Sequence, residues 1–483
     1  MKKYILQLGN ESFVYGISSI VSKFLSFFII PFYAREFSTA EYGEIALLNS
    51  IFFFLAVIVT CGLESAVYRW FFDDEDSDKR LKIFGLWFKS QVVFTTIISV
   101  LLVSFSTLFA SHFFSSEDSQ YFLWIISANL FLSLVPQVVL AWLRLNRLPW
   151  PTVYFSILMT LLSIGFSFLF VIILEWGVIG FFTGQAAGLL AATIFGVVKY
   201  SKLFKWIQID FSILKPMLKY GLNILPATLT ASTVILVTNF IIQTNISQSD
   251  LGLYQMGNNL AMLILLVVSA FSQAWPPFSF SIMGKENFLR VYAQVLDIYI
   301  VLLSAIALFI GVFAHEILLI LTTEKFVDGA WVAGILAYAY FISSLSVIAI
   351  TGLSILKDVR MYSPIVMVSA ILTVLFQLLF VRYGKEAVAL SILIGQSIIP
   401  VLLFIFAQRK YYIPYNLLKN AGVLALSVLC FISASMIPVN DFWTLVLIKG
   451  LIILGFIIFV VMISFKQVRL LWKKDSLFEG NSV

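Results

Sequence analysis

Lys23 interrupts the apolar run SSIVSKFLSFFIIPFYARE at residues 18–36. It lies about a dozen residues into an apolar segment, about 17 Å at 1.5 Å per residue, too deep for its ammonium to reach a membrane surface comfortably. Such a cation either meets an anionic group in a central cavity or pairs with a polar neighbour. Ser22, Ser26 and Pro31 around it soften the helix, because proline removes a backbone bond and serine can satisfy the freed carbonyl. Glu64 and Arg69, in GLESAVYRWFFD at 62–73, fall at the inner end of the next apolar segment. Glu64 suits an inner gate or a cation-coupling site, or equally an interfacial tie to a neighbour; Arg69 can receive phosphate through two parallel hydrogen bonds, with lipid headgroups also in reach. Asp297, about nine residues into a later apolar segment and so about 13 Å deep, suits a proton or sodium relay or a hydrogen bond across a helix interface. Asn49, Asn258, Asn259 and Gln273 are neutral, and either bind hydroxyl groups of a polar ligand or glue helices together.

The elements that carry these residues are membrane helices. The 483-residue chain is 61% hydrophobic and 12% charged with a mean hydropathy of +1.01, whereas soluble domains are about half apolar and a quarter charged. Apolar stretches near residues 12–35, 43–70, 84–110, 120–142, 152–174, 177–199, 221–243, 251–281, 289–313, 331–355, 362–381, 386–407, 421–438 and 443–465 make fourteen spans. They must be helices, since backbone groups in hydrocarbon need partners within their own segment and no strand-like alternation is visible. The expected fold is therefore an all-α polytopic membrane protein. Lysines and arginines crowd every second linker, as at Lys79, Arg80 and Lys82 or Lys199, Lys202 and Lys205, while the intervening linkers hold only Arg35, Lys325, Arg382 and Lys385. By the positive-inside rule both termini are cytoplasmic, and the net charge of +6 serves orientation and anionic headgroups rather than nucleic acid. The start of the chain shows no cleavage site of a signal peptide.

A motif recurs. STAEYG at 38–43 and SQSDLG at 247–252 share S-x-x-acid-x-G, and the same offset aligns Asn49-Ser50 with Asn258-Asn259 and Glu64 with Gln273. Gly184-Gln185 and Gly395-Gln396 match at nearly that offset. Spans one to six thus repeat as spans seven to twelve, in the same sense because six is even, with two helices added. The expected organisation is a first lobe at 1–198, an amphipathic cytoplasmic connector at 199–220, a second lobe at 221–410, and two further helices with a tail at 411–483. Parallel repeats of this kind belong mostly to transporters, which expose a site between the copies alternately to each side.

Other signals are weaker. Lys449 is near the outer end of span fourteen and can snorkel. His112 and His315 stand at outer linkers without a second histidine at ligand spacing, and Cys61 and Cys430 lie in separate spans, so no metal, disulfide or other cofactor is expected. The run DDEDSD at 73–78 reads as a solvated charge cluster. No linker is long enough for the catalytic loop of a glycosyltransferase or polysaccharide polymerase, so an enzyme is not expected.

The segments YGISSIVSKFLSFFIIPFYAREFSTAEYG at 15–43, GLESAVYRWFF at 62–72, DFSILKPMLKYGLNILP at 210–226 and SDLGLYQMGNNL at 249–260 together resemble the Wzx-type polysaccharide-biosynthesis flippases of the multidrug/oligosaccharidyl-lipid/polysaccharide exporter superfamily. The resemblance implies a V-shaped pair of six-helix bundles, with two extra helices as in some members. It implies a substrate of oligosaccharide on undecaprenyl diphosphate, moved to the outer leaflet of a bacterial inner membrane for surface polysaccharides such as O-antigen or capsule. Lys23, Glu64 and Arg69 match positions that recur in the family; proton or sodium coupling is proposed for some members. Membrane lipids, a polysaccharide polymerase and chain-length machinery are the implied partners. A multidrug or cation exporter of the same superfamily and a lipid II flippase are the nearest alternatives.

Overall fold

The computed structural model describes residues 21, 24–71, 76–108, 119–204, 210–356, 358, 360–437 and 442–472. Lys23, His112, residues 73–75 of the acidic run and residues 12–20 of the expected first span lie outside them. Among the described residues every element is helical. Twelve helical stretches among the described residues are long and apolar enough to cross a membrane, and a thirteenth, over Phe211–Asn245, is made of two segments that meet at 44° beside Pro226. A proline inside a helix removes a backbone hydrogen bond and bends it there. Leu190, Ile194 and Val198 form an exposed apolar row along one helix, and Leu378, Leu379 and Phe380 are exposed on another. Apolar surface on this scale needs lipid around it. The protein is a multi-pass membrane protein.

The chain packs as two units. The first comprises Met1–Gln255, Leu321–Phe326 and Ala370–Val388, and the second Met256–Ile320, Val327–Ser369 and Ala389–Val483. In the first unit, α1 (Ile30–Glu36), α2 (Thr39–Thr60), α3 (Leu63–Trp70), α4 (Ser77–Ser104), α5 (Ser119–Leu145), α6 (Pro149–Phe168) and α7 (Gly177–Lys199) precede α8 (Phe211–Asn245). One end of it is filled by Leu63, Val67, Phe71, Phe84, Trp87 and Val138, all buried, with Trp142 packed against them. Gly184 and Gly188 of α7 sit so close to Ser167 and Ser163 of α6 that a β-carbon at either would strike backbone, the small-residue contact typical of membrane helices.

The helix α9 (Gln248–Ala261) starts in the first unit, and α10 (Ile264–Ile282), α11 (Phe288–Leu321), α12 (Ala330–Ser344), α13 (Ser346–Ala349) and α14 (Thr351–Ile355) build most of the second. α15 (Tyr362–Phe380) and α16 (Lys385–Lys410) contribute to both, and α17 (Leu417–Ser435) and α18 (Phe442–Trp472) complete the second. The ring of Phe431 from α17 is held between Gly311 of α11 and Gly334 of α12.

Three expected spans are interrupted. Span two breaks at Cys61 and Gly62, with φ of 46° and 66°, because the backbone of Gly221 on α8 packs there and leaves no room for a β-carbon at Gly62. Span eight is two helices joined at Met262 and Leu263, and span ten is α12 to α14 in series. Within the expected connector at 199–220, Asp210 accepts from the Ser212 N–H and caps α8, which starts at Phe211. The packing boundary lies at Gln255, downstream of that connector.

Candidate functional site

The repeated S-x-x-acid-x-G motif does the same local work twice. Ser38 and Glu41 form a reciprocal cap at the start of α2, and Ser247 accepts from the Asp250 N–H at 2.9 Å while donating to its carboxylate at 2.6 Å. Each cap satisfies amide groups that a helix start leaves unpaired. The two copies then meet. Thr39 Oγ1 and Ser249 Oγ share a hydrogen bond of 2.5 Å, and Gln248 Nε2 donates to the Ala40 carbonyl at 3.1 Å. The offset of 209 that carries Ser38 onto Ser247 carries Thr39 onto Gln248 and Ala40 onto Ser249, so these two contacts are images of one another. Gly43 and Gly252 are each other's image as well. A β-carbon on Gly43 would strike the Gln248 carbonyl, and one on Gly252 the Thr39 carbonyl. The repeat therefore has a local two-fold joint passing between two glycines. Lysines of the sparsely basic linkers flank it: Lys325 donates to the Phe37 carbonyl at 2.6 Å, and Lys385 pairs with Asp250 at 3.1 Å.

At the opposite end of span two, α3 begins after the break and carries Glu64. The Tyr68 hydroxyl donates to Glu64 Oε1 at 2.8 Å, and Arg144 of α5 reaches the same hydroxyl. Glu64 is partly buried and Arg69 exposed. A carboxylate, a phenol and a guanidinium thus sit together beside a broken helix.

Asp297 is placed differently. It is 6% exposed and accepts from Asn420 Nδ2 at 2.8 Å and Lys419 Nζ at 3.3 Å, both at the start of α17. Lys449 does not snorkel, contrary to expectation. It is 6% exposed and its ammonium lies 2.6 Å from Glu316 Oε1, with Glu316 itself 3% exposed. A buried carboxylate within reach holds the ammonium inside the fold. α11 is about 51 Å long at 1.5 Å per residue, and Asp297 and Glu316 lie about 28 Å apart along it. Asp297 meets Lys419 at the start of α17, and Glu316 meets Lys449 within α18. The signal available in the sequence was a carboxylate and a lysine of opposite sign in apolar segments, Glu316 and Lys449.

The neutral residues scatter. Asn258 Oδ1 accepts from the Tyr340 hydroxyl at 2.5 Å, Asn49 and Asn259 are partly buried, and Gln273 is exposed and bonded to the Ser269 carbonyl of its own helix. Sequence reasoning missed a buried tie in the first unit, where Gln377 donates to Thr238 Oγ1 at 2.8 Å and Asn239 to the Ala46 carbonyl at 3.2 Å. Among the described residues no group of His, Cys, Asp and Glu is placed to hold a metal ion.

A family model described as "Polysaccharide biosynthesis protein" matches residues 32–331. The chain belongs to the polysaccharide biosynthesis protein family. An Lsg locus protein of Haemophilus influenzae is 19% identical over 420 residues, 83% of this chain and 99% of that one. Among solved structures, the lipid II flippase MurJ in an inward closed conformation superposes with a TM-score of 0.74 at 15% identity, covering 95% of this chain and all of that one. An inward-facing multidrug resistance MATE family transporter of the MOP superfamily gives a TM-score of 0.65 at 16% identity, over 80% and 93%. This polysaccharide biosynthesis protein thus has the fold of MOP-superfamily transporters, in which the joint, the broken span and the two anchored helices are set.

Proposed function

We propose that the protein is a flippase that carries oligosaccharide on undecaprenyl diphosphate from the cytoplasmic to the outer leaflet of a bacterial inner membrane, for surface polysaccharides such as O-antigen or capsule. The observation that carries this reading is the glycine joint between spans two and eight. Two copies of one motif touch through small residues and two equivalent hydrogen bonds, and alternating exposure requires such copies to move against one another. A polar headgroup cannot cross hydrocarbon unaided, since each unsatisfied polar group costs several kcal/mol there. In this reading Lys23 meets the diphosphate, and Arg69, Asn49, Asn258, Asn259 and Gln273 contact phosphate or sugar. Glu64 with Tyr68 carries the coupling to a proton or sodium gradient, and Asp297 is the second candidate for that role. Both termini lie in the cytoplasm, and the product passes to a polymerase and its chain-length machinery.

Complementation of a flippase-null strain tests it. Wild type should restore polymer export. Lys23→Ala should abolish export at normal membrane levels, and Lys23→Arg should retain part of it, because the charge persists on a wider, forked group. Full export by the alanine variant would remove Lys23 from the site.

A further inference from the structure

One face of α4 carries Trp87, Gln91, Thr95 and Ser99, one residue per helical turn. The first three are 0% exposed and Ser99 is 7% exposed. Trp87 Nε1, Gln91 Oε1, Thr95 Oγ1 and Ser99 Oγ have no hydrogen-bond partner among the described residues, and Asn129 Oδ1 on α5 shares that condition. Gln91 Nε2 donates to Gln137 Oε1 of α5 at 3.4 Å, and the antiparallel run of the two helices from that contact sets Asn129 level with Ser99. Buried polar atoms nearly always have partners, and in a membrane bundle the demand is stronger still.

The packing of the fold does not call for these side chains. The repeat offset of 209 carries the four positions onto Leu296, Ile300, Ser304 and Leu308 of α11, which are 0%, 5%, 0% and below 9% exposed. The second copy thus fills equally buried positions with three aliphatic residues and one serine. Four such atoms along one face of α4, with Asn129 Oδ1 level with Ser99 and its Nδ2 donating to the Phe182 carbonyl of α7 at 3.3 Å, point to something bound there. Its chemistry follows from theirs: the indole only donates, the two amide oxygens only accept, and the hydroxyls do both. No charged group stands among them, and the row from Trp87 to Ser99 is about 18 Å long at 1.5 Å per residue, whereas the oxygens around one cation lie within about 2.6 Å of it.

We propose that a file of water molecules runs between α4 and α5 inside the first unit, hydrogen-bonded by Trp87, Gln91, Thr95, Ser99 and Asn129. Water donates and accepts alternately, typically making about three hydrogen bonds, and so serves this sequence of groups where an ion does not. The inner end of the file is blind, closed by Phe71, Phe84 and Trp142 around Trp87. The other end leads toward buried Ser106, whose hydroxyl accepts from the indole of exposed Trp124 at 3.3 Å, and water enters there. The proposal is independent of the transported substrate.

Radiolytic hydroxyl labelling of the full chain in lipid nanodiscs tests it, because ionised bound water marks the side chains beside it even when they are buried. Trp275 is the internal reference: it is 3% exposed but its indole donates to Thr351 Oγ1 at 2.9 Å. Trp87 should be oxidised at least about fivefold faster than Trp275. Gln91→Ile with Ser99→Leu, the residues of the second copy, should bring Trp87 down to the Trp275 rate. If that double variant does not accumulate, isosteric Thr95→Val should lower Trp87 labelling in the same direction. Equal rates for Trp87 and Trp275 in the wild type, or an unchanged Trp87 rate in Thr95→Val, would overturn the proposal.

Discussion

Spans three and nine are the same element in the two copies of the repeat. The offset that carries Ser38 onto Ser247 carries Trp87 onto Leu296 and Thr95 onto Ser304, and all four are fully buried. Their polar groups are nevertheless handled in opposite ways. α4 keeps neutral polar atoms along its middle without protein partners, and its ion pair, Lys82 with Asp210 at 3.1 Å, lies partly exposed near one end. On α11 the positions matching that row are aliphatic apart from Ser304, whose hydroxyl also lacks a partner among the described residues. Its two buried carboxylates sit toward the ends, paired with Lys419 and Lys449. At the matching places the first copy has Phe88 and Thr107. The added helices α17 and α18 therefore find ionic partners on the second copy that the first lacks. A duplicated scaffold has diverged, one copy toward a polar interior and the other toward anchorage.

The largest effect that bears on this contrast should come from Lys449→Ala. It leaves Glu316 buried without its cation, a change that typically costs about 3–5 kcal/mol, and should sharply lower the thermal midpoint and the yield of folded protein. Glu316→Leu with Lys449→Met should restore most of the loss, since a well-packed apolar pair is often as stable as a buried ion pair. A Lys449→Ala protein as stable as wild type would break the anchorage account.

Asp297→Asn should have a smaller effect, about 1–2 kcal/mol, because Asn420 keeps an acceptor and only the attraction to Lys419 is lost. Transport and stability should fall together in that variant. Loss of transport at unchanged stability would instead make Asp297 an ion-coupling residue. The smallest effect belongs to Asp210, whose carboxyl is held below the usual carboxylate range first by the Ser212 hydroxyl and then by Lys82. Because its folded value is depressed, its contribution is present above the ordinary carboxylate pKa and fades as pH falls through the folded value. Asp210→Asn should barely shift the midpoint at pH 7 and should slightly narrow the difference in stability between pH 7 and pH 3; a large loss at pH 7 would place a strong ion pair on α4 after all.

Much of this was legible in the sequence. Apolar runs located the described spans, because hydrocarbon forces long helices, and S-x-x-acid-x-G exposed the repeat, because a helix start needs a cap. The touch of Gly43 and Gly252 was not legible: the motif fixes each cap but not which surfaces meet. Lys449 was misread because its partner is 133 residues away in sequence and the flanking residues suggest only a helix end. The break at Cys61 and Gly62 depends on Gly221 of another helix, so hydropathy ran straight through it. The polar face of α4 lay hidden because each residue alone passes for ordinary helix glue, and only its comparison with α11 sets it apart.

We propose that the protein moves undecaprenyl-diphosphate-linked sugar by opening and closing the joint. This is tested most directly in proteoliposomes that contain undecaprenyl-diphosphate-linked oligosaccharide, with the purified Thr39→Cys, Ser249→Cys variant on a background of Cys61→Ser and Cys430→Ser. The reduced protein should move the sugar between leaflets faster than protein-free liposomes, oxidation across the 2.5 Å contact should stop it, and reductant should restore it. Transport that continues at full rate with the disulfide closed, or no movement of the sugar by the reduced protein, would contradict the account.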